Sequence, residues 1–211
     1  MNLKGHELEF IESSHTYVCD GIILPSITQI ISGLNPSKYA FVRESVLQQA
    51  AEKGVAMHAL IQDYELGKPV EETQELHNYI FLKRHYKFEV TDMEVPVILF
   101  DNYEPMAAGR LDVVFTMNDL KGIADIKRTA TFDKESVALQ TNLYRIAYMQ
   151  TYGTPIDLLA GIHLREDKRK FYNLPINEEI AWQKVREYGH TTREDSKVFK
   201  APPPNNTNGC V

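Results

Sequence analysis

The feature that most constrains this chain is a pair of apolar runs on either side of a turn-forming dipeptide. The runs are Leu111–Met117 and Gly122–Lys127, and Asn118-Asp119 lies between them. Two β-prone segments joined by such a dipeptide are typical of a β-hairpin. The sequence therefore predicts a hairpin here, and the other elements must be arranged around it.

The predicted hairpin brings two carboxylates and an amine together. Pairing about the midpoint of the turn sets Asp112 opposite Asp125, whereas a longer turn would set Asp112 opposite Lys127. Opposed positions lie ~4.5–5.5 Å apart at Cβ, and Asp125 and Lys127 point to one face because they are two apart on a strand. Carboxylates this close repel and hold protons unless a cation lies between them. Oxygen ligands of this kind suit Mg²⁺ or Mn²⁺. The alternative is a pair of strand-end charges, with Lys127 completing an ion pair.

Four short motifs follow one another in a recognisable order. They are Gly54-Val55-Ala56-Met57-His58, Gly109-Arg110-Leu111-Asp112, Asp125-Ile126-Lys127 and Gln140-Thr141-Asn142-Leu143-Tyr144. The series resembles the helical His, G-x-x-D, D-x-K and Q-x-x-x-Y pattern of the PD-(D/E)xK nuclease superfamily, in its RecB-like and lambda-exonuclease-like branch. The resemblance spans roughly residues 54 to 144.

This resemblance implies a role for each matched residue. Asp112 becomes the principal or bridging ligand of Mg²⁺ or Mn²⁺, and Asp125 the second carboxylate. Lys127 would orient or deprotonate the attacking water, or offset charge in the transition state. The remaining implied site residues are His58 as a nitrogen ligand, the backbone carbonyl of Ile126 as a further ligand, Gln140 and Tyr144 as contacts to DNA or braces for Lys127, Arg110 as a phosphate contact, and Glu94 as a candidate outer ligand.

The fold implied by the resemblance is restriction-endonuclease-like, an α/β (mixed α+β) core whose mixed central sheet is flanked by helices. The periodicity of the chain supplies the elements for it. They are an N-terminal hairpin within Glu7–Val18, a short helix Ile27–Ser32 capped by Ser26 or Thr28, helices Tyr39–Glu65 and Thr73–Lys87, a strand Met93–Phe100, a helix from Thr131 or Asp133 to about Thr151, a strand Ile156–Leu164, a hairpin to Leu174 and a helix Glu178–Tyr188.

Three local features refine this arrangement. Pro96 lies inside a predicted strand and favours an edge position or a bulge. The strand–helix–strand unit ending at Leu164 should place its last strand parallel to the Asp125 strand. Gly54 lies four residues before His58, within a predicted helix, where glycine costs ~1 kcal/mol relative to alanine. We expect close approach of that helix to the sheet to offset the cost; the alternative is an ordinary core or surface histidine above a chance glycine.

Composition bounds the class of protein. With 211 residues at 43% hydrophobic, the chain predicts one domain over residues 1–192. Residues 193–211 are polar and proline-rich and predict a flexible tail. No run reaches the ~18–20 apolar residues of a membrane helix, and the N-terminus does not resemble a signal peptide. We therefore expect a cytoplasmic protein (host cytoplasm if phage-encoded). The two cysteines exclude an iron–sulfur cluster of the four-cysteine kind.

The net charge of −6 excludes a protein that coats DNA through bulk positive charge. Two local basic runs, within 83–87 and 165–170, could track phosphates or form solvated faces. By resemblance, we expect a DNA exonuclease of phage or mobile-element recombination or repair, with DNA and a recombination protein as partners. The alternatives are a DNA-end-binding accessory protein with the same fold and no catalysis, or a structural protein with fortuitous motifs. No segment identifies an oligomeric state.

Overall fold

The computed structural model of the chain describes residues 1–37 and 41–198. The strands of this part are β1 (Asn2–Leu3), β2 (His6–Ile11), β3 (Thr16–Cys19), β4 (Ile22–Leu24), β5 (Glu89–Asp101), β6 (Glu104–Met117), β7 (Leu120–Lys127), β8 (Leu158–Arg165) and β9 (Lys168–Leu174). The helices are α1 (Ile27–Leu34), α2 (Glu44–Glu65), α3 (Gln74–Tyr86), α4 (Lys134–Tyr152) and α5 (Glu178–Val198).

The central sheet has the order β5-β6-β7-β8-β9. Its strands are antiparallel to their neighbours except β7 and β8, which are parallel. The connection between these two is α4, as parallel neighbours require a crossover. The predicted fold class, a mixed α/β architecture with a mixed sheet flanked by helices, is confirmed, and so is the parallel strand after the crossover.

The hairpin of β6 and β7 forms as its turn dipeptide predicts. Asn118 and Asp119 have φ angles of 51° and 62°, which are the positive values that a type I′ hairpin turn requires. Val113 pairs with Ala124, so the register is the one centred on the turn. That register carries Asp112 and Asp125 to the same end of the hairpin.

Apolar layers cover both faces of the central sheet. On one face, α4, α1 and α5 pack over a core that includes Leu111, Ile123 and Leu143. On the other face, α2 and α3 pack over a core that includes Phe115 and Ile126. The central sheet, which carries Asp112 and Asp125, is therefore packed between helices on both faces.

The N-terminal strands form a second, four-stranded sheet in the order β1-β2-β3-β4. Its apolar face shares a core with β5 and β6, through Leu8 and Tyr17 on one side and Ile98 and Ala108 on the other. The Ala108 amide also donates to the Pro25 carbonyl at 3.1 Å. The expected N-terminal hairpin is thus part of a larger sheet. The helix that follows, α1, is capped by Ser26, which accepts from the Gln29 amide.

Strand β5 lies at the edge of the central sheet, as Pro96 predicted. Side chains from the last turn of α4 satisfy part of its outer backbone. Thr151 bonds both the amide and the carbonyl of Ile98, and Gln150 does the same for Phe100. This cover closes an edge that would otherwise be open to another strand.

Two predicted boundaries are wrong. Helix α2 begins at Glu44 and not near Tyr39, which lies outside the described residues; residues 36 and 37 form a turn. Helix α5 continues to Val198, so the flexible tail predicted from residue 193 is helical as far as that residue. The rest of the predicted tail, 199–211, lies outside the described residues. No helix in the described part is long and apolar enough to cross a membrane.

Candidate metal and hydrolytic site

Glu94 of β5 and Asp112 of β6 lie opposite each other, at a point where both strands rotate about their own axes. Met93 pairs with Val113 and Val95 with Leu111, so Glu94 lies opposite Asp112. Met93 and Val113 contact the core beneath α2 and α3, whereas Val95 and Leu111 contact the core beneath α4. In a regular ladder residues two apart share a face, so both strands must rotate between these pairs.

The backbone of Glu94 accommodates this rotation. Its φ is 52°, a left-handed value that is uncommon for residues other than glycine and costs of order 1 kcal/mol or more. Such conformations persist where the surrounding structure imposes them, and they cluster at functional sites. The rotation turns the Glu94 and Asp112 side chains away from both cores.

Asp112 links strand β6 to strand β7. Its Oδ2 accepts from the amide of Ile126 at 2.7 Å. The last backbone pair of this ladder is Val113 with Ala124, so the Asp112 carboxylate replaces a ladder carbonyl. One carboxylate oxygen is thereby fixed, and Oδ1 is left to face His58 at 3.8 Å.

His58 reaches the site from helix α2. Its Nε2 donates to the carbonyl of Ile126 at 3.0 Å, and a carbonyl can only accept, so this nitrogen carries a proton. Its Nδ1 lies 3.8 Å from both Glu94 Oε1 and Asp112 Oδ1. One atom from each of His58, Glu94 and Asp112 lies within 4.8 Å of the others. The Ile126 carbonyl, predicted as a metal ligand, here orients the imidazole, a common arrangement behind a metal-binding histidine.

The acids around His58 favour its charged form. Burial alone would lower the pKa of His58, but Asp112, Glu94, Asp125 and the Ile126 carbonyl outweigh burial and raise the pKa to about 9. The imidazole therefore carries a proton on both nitrogens, and a positive charge, at neutral pH in the absence of a metal. A cation at Nδ1 would replace the proton on that nitrogen.

Asp125 is a buried carboxylate beside Lys127. Its exposed fraction is 2%, and burial raises its pKa to about 6 against the opposing effect of the Lys127 ammonium, with Asp112 raising it further. Lys127 Nζ lies 2.9 Å from both carboxylate oxygens. Only Oδ1 accepts a well-directed hydrogen bond; within the described structure, the buried Oδ2 accepts none.

Helix α4 holds Lys127 from the other side. Gln140 Oε1 accepts from Lys127 Nζ at 3.3 Å, and burial raises the pKa of the Tyr144 hydroxyl against the opposing effect of the nearby Gln140 side chain. The Tyr144 ring lies against Gly109, where an added Cβ would be 2.8 Å from the Tyr144 ring. Gln140 therefore contacts Lys127, and Gly109 gives room for the Tyr144 ring beside it; contact of either side chain with DNA stays a prediction.

Arg110 contacts the N-terminal sheet, and the sequence contains only a weak signal for this contact. Its Nε lies 3.7 Å from Glu94 Oε2, and its guanidinium lies 4.9 Å from the centroid of the Phe10 ring. Burial raises the pKa of the Tyr17 hydroxyl against the opposing effect of Arg110. The loose alternation of residues 7–18 was the only signal for this contact. Arg110 is thus held beside Glu94, and its side chain is 40% exposed.

The expectation that Gly54 permits close approach of its helix to the sheet is wrong. A Cβ added at Gly54 would have no neighbour within 4 Å. Only Met57 and Ile61 of α2 are fully buried, so the first turns of the helix stand away from the sheet. The helix still carries His58 into the site.

The described residues fit a hard divalent cation. The donor set combines carboxylate oxygens with one imidazole nitrogen, which suits Mg²⁺ or Mn²⁺. Asp125 adds a buried carboxylate whose Oδ2 accepts no hydrogen bond among the described residues and lies 2.9 Å from the Lys127 ammonium. Glu94, predicted as an outer ligand, is as close to His58 as Asp112 is.

Comparison with known proteins does not assign a family. No family model matches the chain, and no curated protein matches it. A solved structure described as "Crystal structure of SSO0001" is similar at 17% identity, over 86% of this chain and 78% of that chain, with a TM-score of 0.39. A likeness at this level carries no argument about function. The functional argument therefore rests on the residues of the site.

Proposed function

We propose that this protein is a divalent-metal-dependent deoxyribonuclease that hydrolyses phosphodiester bonds. The observation that carries the proposal is the convergence of His58, Glu94 and Asp112 within 4.8 Å, with the buried Asp125–Lys127 pair beside them. Acids grouped around a metal position with one ammonium at its side are suited to hydrolysis at an anionic, tetrahedral centre.

The chain's own residues have distinct tasks in this proposal. Asp112, Asp125, Glu94 and Nδ1 of His58 would hold Mg²⁺ or Mn²⁺. A bound divalent ion would lower the pKa of a water and neutralise charge on the phosphoryl oxygens. Lys127 would direct its ammonium hydrogens at the attacking water or at a phosphoryl oxygen.

The remaining groups position these side chains. Gln140, whose side chain lies near the Tyr144 hydroxyl, keeps Lys127 in place. The Ile126 carbonyl keeps the imidazole of His58 facing the acids. Arg110 would contact a phosphate of the bound strand from beside Glu94. None of these groups needs to move a proton.

Digestion of end-labelled linear DNA and closed circular DNA tests the proposal. We expect loss of linear DNA with Mg²⁺ or Mn²⁺ and no loss with chelator. Asp112→Asn, Asp125→Asn and Lys127→Met should each lower the rate about a hundredfold or more. Asp119→Asn is the matched control, because it makes the same change at the exposed turn of the same hairpin, where asparagine tolerates a φ of 62°.

Full activity of the Asp125→Asn variant would refute the assignment. Tight binding of DNA ends with no product after long incubation would favour the accessory-protein alternative. We further propose exonuclease action, so linear DNA should be degraded while closed circles survive. The setting in phage or mobile-element recombination or repair, with a partner protein, comes from the sequence resemblance, and the expected cytoplasmic location comes from the lack of a signal-peptide-like or membrane-spanning apolar run.

A further inference from the structure

A cleft of about 780 Å³ lies beside the candidate site, at the carboxyl ends of β7 and β8. Its walls include Phe132, His163, Lys168, Lys170 and Tyr172. A cavity of this size accommodates a ligand of one or two nucleotides.

A row of basic residues connects the site to this cleft. Lys127 of β7 pairs with His163 of β8, and His163 pairs with Lys170 of β9. Neighbouring strands lie ~4.8 Å apart, so the backbone positions of Lys127 and Lys170 are separated by only ~10 Å. His163 itself is buried and donates to the Thr129 carbonyl at 2.7 Å, so a strand held at the candidate site would pass above it from Lys127 to Lys170.

The cleft is locally positive although the chain is acidic overall. Lys168, Arg169 and Lys170 make no ion pair with a carboxylate among the residues that the structure describes. The two acids of the rim, Glu166 and Asp167, are instead paired with arginines, at 3.3 Å from Arg128 and 3.2 Å from Arg165. Lys168 Nζ donates to the Ala130 carbonyl at 3.2 Å, a neutral partner that leaves its charge to attract an anion.

Contacts from helix α3 hold the basic strand in place. Arg169 donates to Asn78 Oδ1 at 3.2 Å, and its guanidinium lies 3.8 Å from the Phe81 ring centroid. Asn78 is buried and donates to the Arg165 carbonyl at 2.7 Å. Arg169 is directed to α3, whereas Lys168 and Lys170, two apart on the strand, share the opposite face. Preorganised cations of this kind lose little freedom on binding.

The wall of the cleft is aromatic. Phe132 stacks on Tyr172 with ring centroids 4.1 Å apart, and Lys170 Nζ lies 4.7 Å from the Tyr172 centroid. Gly161 leaves the space that the Phe132 ring occupies, because a Cβ at residue 161 would lie 2.3 Å from that ring. Aromatic surface beside lysines is typical of grooves that follow a single strand of nucleic acid.

We propose that this cleft binds the phosphodiester backbone of a single-stranded nucleic-acid segment next to the bond held at the candidate site. The proposal rests on the proposed function for the direction of the strand. Lys168 and Lys170 contact successive phosphates, and the Phe132–Tyr172 pair lies against the sugars and bases. The cleft is a binding surface and takes no part in the bond cleavage.

Fluorescence anisotropy of a labelled oligothymidylate of about 16 nucleotides, measured with the full chain in chelator, tests the cleft without cleavage. Lys168→Ala/Lys170→Ala should weaken binding about tenfold. It should also reduce the slope of log affinity against log salt by about 1.4, since each phosphate contact on a single strand contributes ~0.7. Lys68→Ala/Lys184→Ala is the matched control, since it removes two lysine charges that already pair with Asp63 and Glu187. The control should keep the affinity and slope of the unaltered chain.

Lys168→Arg/Lys170→Arg keeps both charges and should retain the affinity, which guards against a folding defect in the alanine variant. Equal losses in the cleft and control variants would overturn the proposal. The proposal would also be overturned if the alanine variant kept its affinity and only aggregated. The two lysines would then serve to prevent the edge strand β9 from pairing with another chain. If a mononucleotide competed for the cleft as well as the strand does at equal phosphate concentration, the cleft would instead be a site for a terminal phosphate.

The outcome is separable from that of the proposed function. Cleft-dependent binding by a chain that never cleaves DNA would support the cleft and contradict the nuclease. Metal-dependent cleavage with an unchanged affinity in the cleft variant would contradict the cleft alone.

Discussion

At the scale of single residues, the site depends on carboxylates that are fixed by neighbouring donors. Asp112 binds the Ile126 amide with Oδ2 and faces His58 with Oδ1. Asp125 accepts from Lys127 Nζ with Oδ1, and its buried Oδ2 lies 2.9 Å from the same ammonium. Asp112 is therefore fixed by one oxygen and available through the other, whereas both oxygens of Asp125 are fixed by Lys127. These contacts let the acids stay in place in the absence of a cation.

Two glycines that match the same family motif series should respond oppositely to alanine. Gly54 has open space and lies inside a helix, so Gly54→Ala should stabilise the fold by ~1 kcal/mol. Gly109→Ala places a Cβ 2.8 Å from the Tyr144 ring, so this substitution should destabilise the fold by ~1–3 kcal/mol. Urea unfolding of both variants measures the difference. Equal effects of the two substitutions would contradict this account of the packing.

Proton release should accompany metal binding. In the metal-free protein the pKa of His58 is raised from 6.5 to about 9, so its protonation stabilises the fold by about 3 kcal/mol below pH 6.5, and that contribution is lost as the pH rises through 9. A cation at Nδ1 needs the neutral ring, so Mn²⁺ affinity should rise between neutral pH and 9. Calorimetry in two buffers of different ionisation enthalpy measures the protons released. His58→Gln is the control, and an undiminished pH dependence in that variant would exclude His58 as the titrating group.

At the scale of elements, helix α4 serves the site by holding a lysine on the neighbouring strand. Its cap at Asp133 and its end at Gly153, with φ of 68°, fix the rotation that points Gln140 at Lys127. Gln140→Ala should lower the cleavage rate about tenfold with little change in substrate affinity, because Gln140 positions Lys127 and is not expected to touch the reacting atoms. Comparison of kcat and KM is the measurement.

Tyr144→Phe separates bracing from packing on the same helix. It removes only the hydroxyl, whose pKa burial raises against the opposing effect of the nearby Gln140 side chain, and keeps the ring against Gly109. We expect a smaller loss of rate than for Gln140→Ala, with an unchanged midpoint of thermal unfolding. A larger rise in KM than fall in kcat in either variant would indicate direct contact with DNA, the other role that the sequence allowed.

The elements themselves could largely be predicted from local sequence. Asn118-Asp119 determined the turn and thus the register that brings Asp112 near Asp125, because a two-residue turn leaves little freedom. The start of α2 was missed because Arg43 at its N-cap makes no side-chain capping bond. The rotation of β5 and β6 at Glu94 was not predictable, since alternation assumes that a strand keeps its faces.

At the scale of the whole molecule, the N-terminal sheet and the central sheet share one apolar core. Leu8 is 2% exposed and packs in a cluster with Ile98 and Phe100 of β5. Through Phe10 and Tyr17 the same sheet also contacts Arg110. The sequence could not predict that the two sheets share a core. Leu8 and Ile98 are far apart along the chain, and the local pattern around each residue carries no information about the other. We expect the two sheets to unfold together.

Leu8→Ala tests this cooperativity. Truncation of a buried leucine costs ~2–5 kcal/mol, and the single tryptophan, Trp182, lies on α5 against the core beneath α4. If the sheets unfold as one unit, the Trp182 fluorescence transition should shift to lower temperature together with the circular dichroism transition. Ile23→Ala is the control, because Ile23 lies on the same sheet and is 72% exposed, so its loss should change stability by less than ~0.5 kcal/mol. A Trp182 transition that stays in place while circular dichroism shows an earlier step would mean that the N-terminal sheet unfolds alone, and that Arg110 can lose its aromatic partners without loss of the central fold.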